Sequence, residues 1–290
     1  MRIGVVVLPQ QRWTEASARW KAADDMGFDH AWTYDHLAWR SLADEPWFAT
    51  VPTLTAAALV TSRIRLGTWV ASPNYRHPVT FAKDLMSLDD VSGGRIELGV
   101  GAGGVGFDAT VLGGEVLPPR ARVDRLAEFV ELLDLLLTQS VTSWHGEYFT
   151  ADQARMRPGC VQQPRLPIIV AAGGPRSLRI AARFGQGWAT TGAESGADVP
   201  WWDGVAVLSH RMDDVLAEAG RDPATLRRYL SVDGGGYALA SAGAFADAVG
   251  RARELGFTDV VTHWPRAEGV YAGDAAVLEQ VAADLDTLRG

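Results

Sequence analysis

Short apolar runs alternate with longer segments of helical periodicity along the whole chain. Continuous apolar runs of about four to eight residues are typical of strands buried on both faces of a parallel sheet. Segments in which apolar residues recur every three or four positions are typical of helices that pack one face against such a sheet. The pattern predicts strands over residues 3–8, 28–34, 65–71, 96–100, 166–171, 187–191, 228–232 and 257–263.

Helical segments separate these strands. The predicted helices cover residues 13–26, 53–61, 78–91, 120–137, 177–184, 200–219, 242–255 and 274–288. Thr14 is the predicted N-cap of the first helix and Gly27 its stop. Residues 141–150 predict a short hairpin that turns near Gly146, and residues 141–165 are an insertion after the fourth helix.

Eight strands in alternation with eight helical segments predict an α/β fold, the (β/α)8 TIM barrel, as a single domain over residues 1–290. The alternative is a doubly wound open sheet, which usually has fewer strands and carries a glycine-rich turn after its first strand. Here Pro9, Gln10 and Gln11 follow the first strand, so the barrel is the better interpretation.

The segment from residue 65 to residue 104 gives the first binding signal. Both of its strands end in loops, and the second ends in the sequence G-V-G-A-G-G at residues 99–104. Four glycines in this turn predict backbone N–H groups that a ligand can approach closely. Because parallel α/β folds bind ligands at the carboxyl ends of their strands, we expect the site at this rim.

A second glycine turn, G-G-P-R-S at residues 173–177, follows the fifth strand. Pro175 suits the first turn of a helix, and the free N–H groups at a helix start predict an anion pocket. Arg176 is placed to add a charge-assisted bond to a phosphate. An ordinary glycine turn would explain the glycines, but not why two such turns end strands four and five.

Asp35 and His36 leave the second strand at the same rim. A histidine there suits donation to a planar ring near neutral pH, and the aspartate can fix its tautomer. A structural histidine is the alternative, and the rim position favours function. Trp39, Trp47 and Trp69 lie on or near this rim, where core packing is the alternative to contact with a ligand.

Composition and charge narrow the class of protein. The net charge is −8 and basic residues do not cluster, so nucleic acid is not an expected partner. No apolar run reaches the roughly 18 residues of a membrane span, and we expect neither a membrane association nor a signal peptide. The single cysteine, Cys160, fits a cytoplasmic protein and is expected to be an unreactive thiol. No histidine pair has ligand spacing, so no metal site is predicted.

Five motifs, in this order along the chain, resemble the bacterial-luciferase-like superfamily. They are D-H-L at 35–37, G-T-W-V-A-S-P-N-Y-R-H-P at 67–78, L-D-D-V-S-G-G-R-I-E-L-G-V-G-A-G at 88–103, A-A-G-G-P-R-S at 171–177 and G-Q-G-W-A-T-T-G at 185–192. Within the superfamily they are most similar to the branch that uses coenzyme F420, an 8-hydroxy-5-deazaflavin. The resemblance implies a homodimeric oxidoreductase that transfers a hydride between C5 of the deazaflavin and a small organic substrate.

The resemblance also implies roles for individual residues. Asp35 and His36 would contact the deazaflavin and act in catalysis, and a cis peptide bond at Trp69–Val70 would support the back face of its ring. Trp39, Trp47 and Asp108 would line the substrate pocket. The remaining expected contacts to the coenzyme, with its tail and phosphate, are Ala102, Gly103, Gly173, Gly174, Pro175, Thr191 and Gly192.

The chain departs from this branch at Gly104, where the sugar-phosphate dehydrogenases carry a glutamate. The missing carboxylate weighs against a sugar 6-phosphate substrate and leaves His36, Asp108 or water as the proton donor. Two alternative functions remain open at this point. One is an FMN-dependent monooxygenase on the same barrel, and the other is a protein that binds a flavin or deazaflavin without catalysis.

Overall fold

Eight parallel strands close into a barrel in the computed structural model, which describes residues 1–192 and 199–290. The strands of the chain are β1 (Arg2–Val6), β2 (His30–Thr33), β3 (Arg65–Thr68), β4 (Ile96–Val100), β5 (Val141–His145), β6 (Thr150–Arg155), β7 (Ile168–Ala171), β8 (Gly187–Thr190), β9 (Arg227–Ser231) and β10 (Asp259–His263). Around the barrel the order is β1-β2-β3-β4-β7-β8-β9-β10, and β10 pairs with β1. The predicted (β/α)8 barrel is confirmed, and the open sheet is excluded.

Helices follow the barrel strands on the outside. They are α1 (Trp13–Asp25), α2 (Thr50–Val60), α3 (Pro78–Val91), α4 (Pro119–Thr138), α5 (Pro175–Phe184), α6 (Trp201–Glu218), α7 (Ala242–Glu254), α8 (Ala275–Ala283) and α9 (Leu285–Arg289). Each predicted helix is present, although three differ in detail. None of the helices within residues 1–192 and 199–290 has both the length and the hydropathy that crossing a bilayer requires.

The differences lie at helix ends. The predicted cap at Thr14 is wrong, because α1 already begins at Trp13 and Arg12 occupies the N-cap position. The second helix begins three residues before the predicted start, at Thr50, whose Oγ1 donates to the carbonyl of Tyr34 at 2.8 Å. The last predicted helix divides at Asp284, where ψ reaches 7°. Local contacts of this kind leave no trace in apolar periodicity.

The predicted insertion at residues 141–165 contains an antiparallel hairpin of β5 and β6. The hairpin is longer than predicted, since β6 begins at Thr150, where the prediction ended. Glu128 of α4 holds the turn, because its carboxylate accepts the backbone N–H groups of Tyr148 and Phe149 at 3.0 and 2.8 Å. Further along, burial raises the pKa of the Cys160 thiol, as expected for an unreactive cysteine.

Two apolar layers form the core. The larger layer lies between the strands and the surrounding helices, and residues such as Trp20, Leu85, Phe129 and Leu208 are almost fully buried in it. The smaller layer fills the barrel interior with aromatic and aliphatic side chains. Its buried members are Val6, Leu8, Trp32, Tyr34, Leu42, Trp69, Ile169, Ala189, Tyr229 and Val261. The interior is therefore a packed core rather than a pore, as closed barrels of this size require.

A buried ion cluster fills the interior below these aromatic rings, at the amino-terminal ends of the strands. The Glu97 carboxylate accepts from Arg65 Nε at 2.5 Å, from Arg227 Nη1 at 2.9 Å and from the Tyr229 hydroxyl at 3.0 Å. Arg2 lies 4.0 Å from the same carboxylate. Burial alone would raise the pKa of Glu97, but the three guanidinium groups outweigh it and lower that pKa below its ordinary value.

We predict that Glu97→Gln destabilises the barrel by about 3 kcal/mol or more, because Arg65 and Arg227 then lose the buried carboxylate that pairs with them, whereas Arg2 keeps its pair with the buried Asp259. The measurement is the free energy of unfolding in urea. Glu131→Gln is the matched control: Glu131 pairs with Arg183 at 2.9 Å, but the Arg183 side chain is 66% exposed, and such pairs contribute less than about 1 kcal/mol. Equal losses in the two variants would contradict a special role of Glu97.

We also predict a specific loss of stability in acid. Because the folded pKa of Glu97 is lowered, its contribution is fully present above the unfolded reference pKa of about 4.3 and disappears as the pH falls through the folded pKa. The free energy of unfolding should therefore depend less steeply on pH below about 4.3 in Glu97→Gln than in the wild type. If the free energies of unfolding of the two proteins changed in parallel with pH, another group would dominate the loss of stability in acid.

Candidate active site

The predicted site residues lie along one continuous arc of the carboxyl-end rim. They follow β2, β3, β4, β7 and β8, which are successive neighbours around the barrel. Asp35 and His36 come after β2, Trp69 and Val70 after β3, the first glycine turn after β4, the second after β7, and Thr191 with Gly192 after β8. The two glycine turns end adjacent, directly paired strands.

The peptide bond between Trp69 and Val70 is cis, as the resemblance implied. The neighbouring strand makes room for this segment with small residues. A Cβ on Gly99 would lie 2.1 Å from the Thr68 carbonyl oxygen, and one on Gly101 would lie 3.0 Å from Val70 Cγ2. The prediction that these glycines free their N–H groups for a ligand is wrong for Gly101, which donates to the Ala71 carbonyl at 2.8 Å.

The rest of the first glycine turn is held by side chains from two other elements. Arg122 of α4 donates to the Gly103 carbonyl at 2.8 Å, and Asn74 donates to the Gly104 carbonyl at 3.1 Å. Arg125 in turn donates to the Asn74 Oδ1 at 2.5 Å. Gly103 has a φ of +75° and presses against Asn74, so the turn leaves no space for a side chain there.

The second glycine turn is open. A Cβ built on Gly173 meets nothing within 4 Å among the residues that the structure describes, and Gly174 meets only Ser177 Oγ at 4.0 Å. Helix α5 begins at Pro175, two residues before the predicted start at Ser177, and its first-turn N–H groups lie beside this opening. Arg176 does not point a free charge at the turn, because its guanidinium pairs with Asp124 of α4.

Two arginines of α4 retain unused donors near these turns. The Nε atoms of Arg122 and Arg125 are buried and have no hydrogen-bond partner within residues 1–192 and 199–290. Buried donors without partners are rare, and each costs about 1–3 kcal/mol unless a ligand or water satisfies it. Nothing in the sequence distinguishes these arginines, since a basic residue at the start of a long helix carries no distinctive signal.

Asp35 is fully buried and forms a bidentate ion pair with Arg76, with distances of 2.7 and 3.2 Å. This pair joins the end of β2 to the loop before α3. It also shows that the predicted role of Asp35 in fixing the His36 tautomer is wrong, because both of its oxygens are engaged by the guanidinium.

Asp108 takes that role instead. Its Oδ2 lies 2.5 Å from His36 Nδ1, and its Oδ1 accepts the Leu37 N–H at 2.8 Å. Because a carboxylate only accepts hydrogen bonds, His36 carries its proton on Nδ1 and leaves Nε2 free to accept. The His36 side chain is 27% exposed, whereas Asp108 is buried. His36 and Asp108, two of the three predicted sources of a proton, therefore form one unit.

The predicted aromatic residues divide into two groups. Trp69 is buried and packs against Trp32, with ring centroids 5.2 Å apart, so it belongs to the interior core. Trp39 and Trp47 are half-buried and surround Tyr34, with centroid distances of 5.2 and 6.3 Å. Trp39 and Trp47 therefore lie between the interior core and solvent.

Thr191 and Gly192 form the corner at the end of β8. The Thr191 carbonyl accepts Trp201 Nε1 at 3.0 Å, and Gly192 donates to Thr190 Oγ1 at 3.1 Å. Gly192 has a φ of +88°, and a side chain there would collide with Trp201. The corner lies on the predicted arc.

The model of the family described as "Luciferase-like monooxygenase" matches residues 1–233. The chain belongs to this family. The predicted resemblance to the bacterial-luciferase-like superfamily is thereby confirmed. The family match begins with β1 and covers every residue of the predicted arc.

Two relatives are similar to the chain in sequence, and one solved structure is similar to it in fold. An uncharacterized protein of Mycobacterium tuberculosis (strain ATCC 25618 / H37Rv) is 31% identical over 302 residues, which cover 98% of this chain and 99% of the relative. The F420-dependent hydroxymycolic acid dehydrogenase of the same strain is 35% identical over 231 residues, 77% of this chain and 60% of the relative. An F420-dependent secondary alcohol dehydrogenase has a TM-score of 0.80 at 18% identity, with 97% of both chains covered.

These comparisons confirm the prediction of an enzyme and weigh against the alternative of a protein that only binds its ligand. Within residues 1–192 and 199–290, no group of three or more His, Cys, Asp or Glu side chains is arranged to hold a metal ion.

We predict that Asp108→Asn inverts the tautomer of His36. The Leu37 N–H would keep the amide oxygen, so the amide NH2 would face His36 Nδ1 and make it an acceptor, and the ring proton would move to Nε2. Long-range proton–nitrogen NMR of histidine-labelled protein measures the tautomer directly. The control is Asp213→Asn, an exposed partner of Arg228 far from His36. A His36 spectrum that is the same in Asp108→Asn and the wild type would contradict the assignment.

Proposed function

We propose that this enzyme is an F420-dependent oxidoreductase that transfers a hydride between C5 of the deazaflavin and a small organic substrate. The observation that carries the proposal is the continuous rim arc, in which an open glycine corner and two half-buried arginines with buried, unused Nε donors lie on neighbouring strands and their helices. Relatives named as F420-dependent dehydrogenases support the same coenzyme, among them the glucose-6-phosphate dehydrogenase of Amycolatopsis mediterranei at 33% identity over 174 residues.

The residues present fit an anionic coenzyme tail. Gly173 and Gly174 leave open space beside the start of α5, where a helix dipole and free N–H groups favour a phosphate. Arg122 and Arg125 would offer their buried Nε donors from α4. Ala102, Gly103, Pro175, Thr191 and Gly192 complete the arc as expected contacts.

The side chains of the chain position the reactants. When bound, the deazaflavin supplies or accepts the hydride at C5. His36 presents Nε2 as a hydrogen-bond acceptor, and Asp108 keeps its ring in one orientation. Asp35, held by Arg76, fixes the start of this loop rather than contacting the coenzyme through a free carboxylate. Trp39 and Trp47 are proposed to wall the substrate pocket and exclude water from the reacting atoms.

An FMN-dependent monooxygenase is the second candidate. The description of the matching family names a monooxygenase, and a monooxygenase from Streptomyces bottropensis has a TM-score of 0.72 at 22% identity. Both coenzymes contain a phosphate that the open corner would accept. We further propose that residues 1–290 form one domain, that two copies associate as a homodimer and that the enzyme is cytoplasmic. Analytical ultracentrifugation of the purified chain tests the dimer.

We predict that the apo-protein binds purified coenzyme F420 with a dissociation constant near or below about 10 μM, or about −7 kcal/mol, and FMN at least tenfold more weakly. The measurement is a fluorescence titration with each coenzyme, in oxidised and reduced form. Tighter binding of FMN than of F420 would replace the first candidate by the second.

We predict that Gly173→Leu weakens binding of coenzyme F420 at least tenfold while the protein stays folded. The Gly173 Cβ position is open, so the leucine enters the phosphate corner without displacing protein atoms. Gly250→Leu on α7 is the matched control, since its Cβ position is equally open. Circular dichroism reports folding for both variants, and unchanged affinity in Gly173→Leu would remove this corner from the site.

A further inference from the structure

Four titratable side chains lie at the carboxyl-end rim, next to the proposed coenzyme arc. Tyr34 follows β2, Asp233 follows β9, His263 ends β10, and Tyr271 lies in the loop after β10. In the barrel β1 lies between β2 and β10, and β9 follows β10. The residues at the carboxyl ends of these strands therefore lie close together at the rim. Neither periodicity nor motif singled out any of them in the sequence.

The Asp233 carboxylate fixes the protonation of His263. It accepts His263 Nδ1 at 2.6 Å, the His263 backbone N–H at 2.9 Å, the Thr262 hydroxyl at 3.1 Å and the Ala238 N–H at 3.0 Å. A carboxylate that receives four donors is an acceptor only, so the neutral imidazole carries its proton on Nδ1 and has Nε2 as its acceptor.

The two tyrosines continue this order of donors. The Tyr34 hydroxyl lies 2.8 Å from His263 Nε2 and therefore donates to it, and its oxygen lies 3.1 Å from the Tyr271 hydroxyl, which donates in turn. Tyr271 stacks on His263 with centroids 3.6 Å apart and planes within 3°. The lone pairs of the Tyr271 oxygen are thus left at the outer end of a single hydrogen-bonded chain.

We place that outer end beside the proposed substrate space, because Tyr271 shares its packing surface with the residues proposed to wall that space. Tyr271 is half-buried and packs on the same interior apolar layer as Trp39, Trp47 and Val70, while Tyr34 belongs to the layer itself. Among residues 1–192 and 199–290, other titratable or charged groups also face this hydrogen-bonded chain. Tyr237 donates to the His263 carbonyl at 2.9 Å, the His36 ring lies 5.8 Å from Tyr34, and the charge of Arg40 acts on both tyrosines of the chain.

We propose that Asp233, His263, Tyr34 and Tyr271 form a proton relay for an alcohol substrate, an inference that rests on the proposed F420-dependent oxidation. As the substrate carbon gives its hydride, with two electrons, to the oxidised deazaflavin, its hydroxyl gives its proton to the Tyr271 oxygen. Tyr271 passes its own proton to Tyr34, and Tyr34 passes its proton to His263 Nε2. The substrate leaves as a carbonyl compound, and the imidazolium is balanced by Asp233; carbonyl reduction runs the same steps backwards.

The order of donors is tested in the protein without coenzyme. Long-range proton–nitrogen NMR of histidine-labelled protein should show His263 protonated on Nδ1 in the wild type. Tyr34→Phe should shift the Nε2 resonance and leave the proton on Nδ1, because only the donor to Nε2 is lost. A wild-type His263 protonated on Nε2 would overturn the relay, since the chain would then run in the opposite direction.

Proton transfer is tested with coenzyme F420 and two probes, butan-2-ol and cyclohexanol, by following reduction of the coenzyme against pH. Tyr271→Phe should lower the rate about 100-fold, the scale of one lost acid–base group, and its rate should go on rising with pH where the wild type has reached a plateau. Tyr237→Phe is the matched control, because it removes a neighbouring hydroxyl that is not part of the hydrogen-bonded chain. This variant should keep the wild-type pH profile of the rate.

The outcomes separate this inference from the proposed function. A wild type that fails to bind coenzyme F420 in titration contradicts the proposed function and with it the relay, and the NMR result then decides only the order of donors. Binding without turnover of either alcohol overturns the assignment of an alcohol substrate. A Tyr271→Phe variant with the wild-type rate and pH profile, at unchanged coenzyme affinity, overturns the relay.

Discussion

The need to fill the interior of a closed eight-stranded barrel governs this structure. At the amino-terminal end the space is filled by Glu97 and the guanidinium groups around it, and above them by the rings of Trp32, Trp69 and Tyr229. A buried anion held by several cations is tolerated only when its hydrogen bonds are complete, as they are for Glu97. Together the ion cluster and the aromatic layer fill the barrel interior, so the site at the carboxyl-end rim lies on a packed core.

Close approaches between neighbouring strands determine the geometry of the rim. The cis segment at Trp69–Val70 passes so near β4 that Gly99 has no space for a side chain. The glycine-rich turn after β4 is therefore partly a packing requirement and only partly a binding surface. The open corner is the one at Gly173, on the adjacent strand, where nothing occupies the space that a side chain would take among the described residues.

Two histidine–aspartate pairs flank Tyr34 at the mouth, and both hold the imidazole proton on Nδ1. His36 with Asp108 is partly exposed and stands at the edge of the coenzyme arc, whereas His263 with Asp233 is buried and continues into two tyrosines. Both imidazoles thus have Nε2 as their acceptor, but the two acceptors lie in different environments. Nε2 of His36 lies at the surface of the pocket, whereas Nε2 of His263 is connected to the pocket through hydroxyl groups. Burial decides which of them can carry a proton away from solvent.

The sequence by itself determined the barrel, since apolar runs of strand length and helical periodicity repeat through the chain and both depend on near neighbours. It also determined the family, the glycine turns and the cis bond at Trp69–Val70. Tertiary structure alone decided the partners: Asp108 rather than Asp35 orients His36 from 72 positions away, and Asp233 meets His263 across 30. Such pairs form because the ends of distant strands, and the loops that follow them, meet at one rim. Apolar periodicity does not indicate which side chains will meet there.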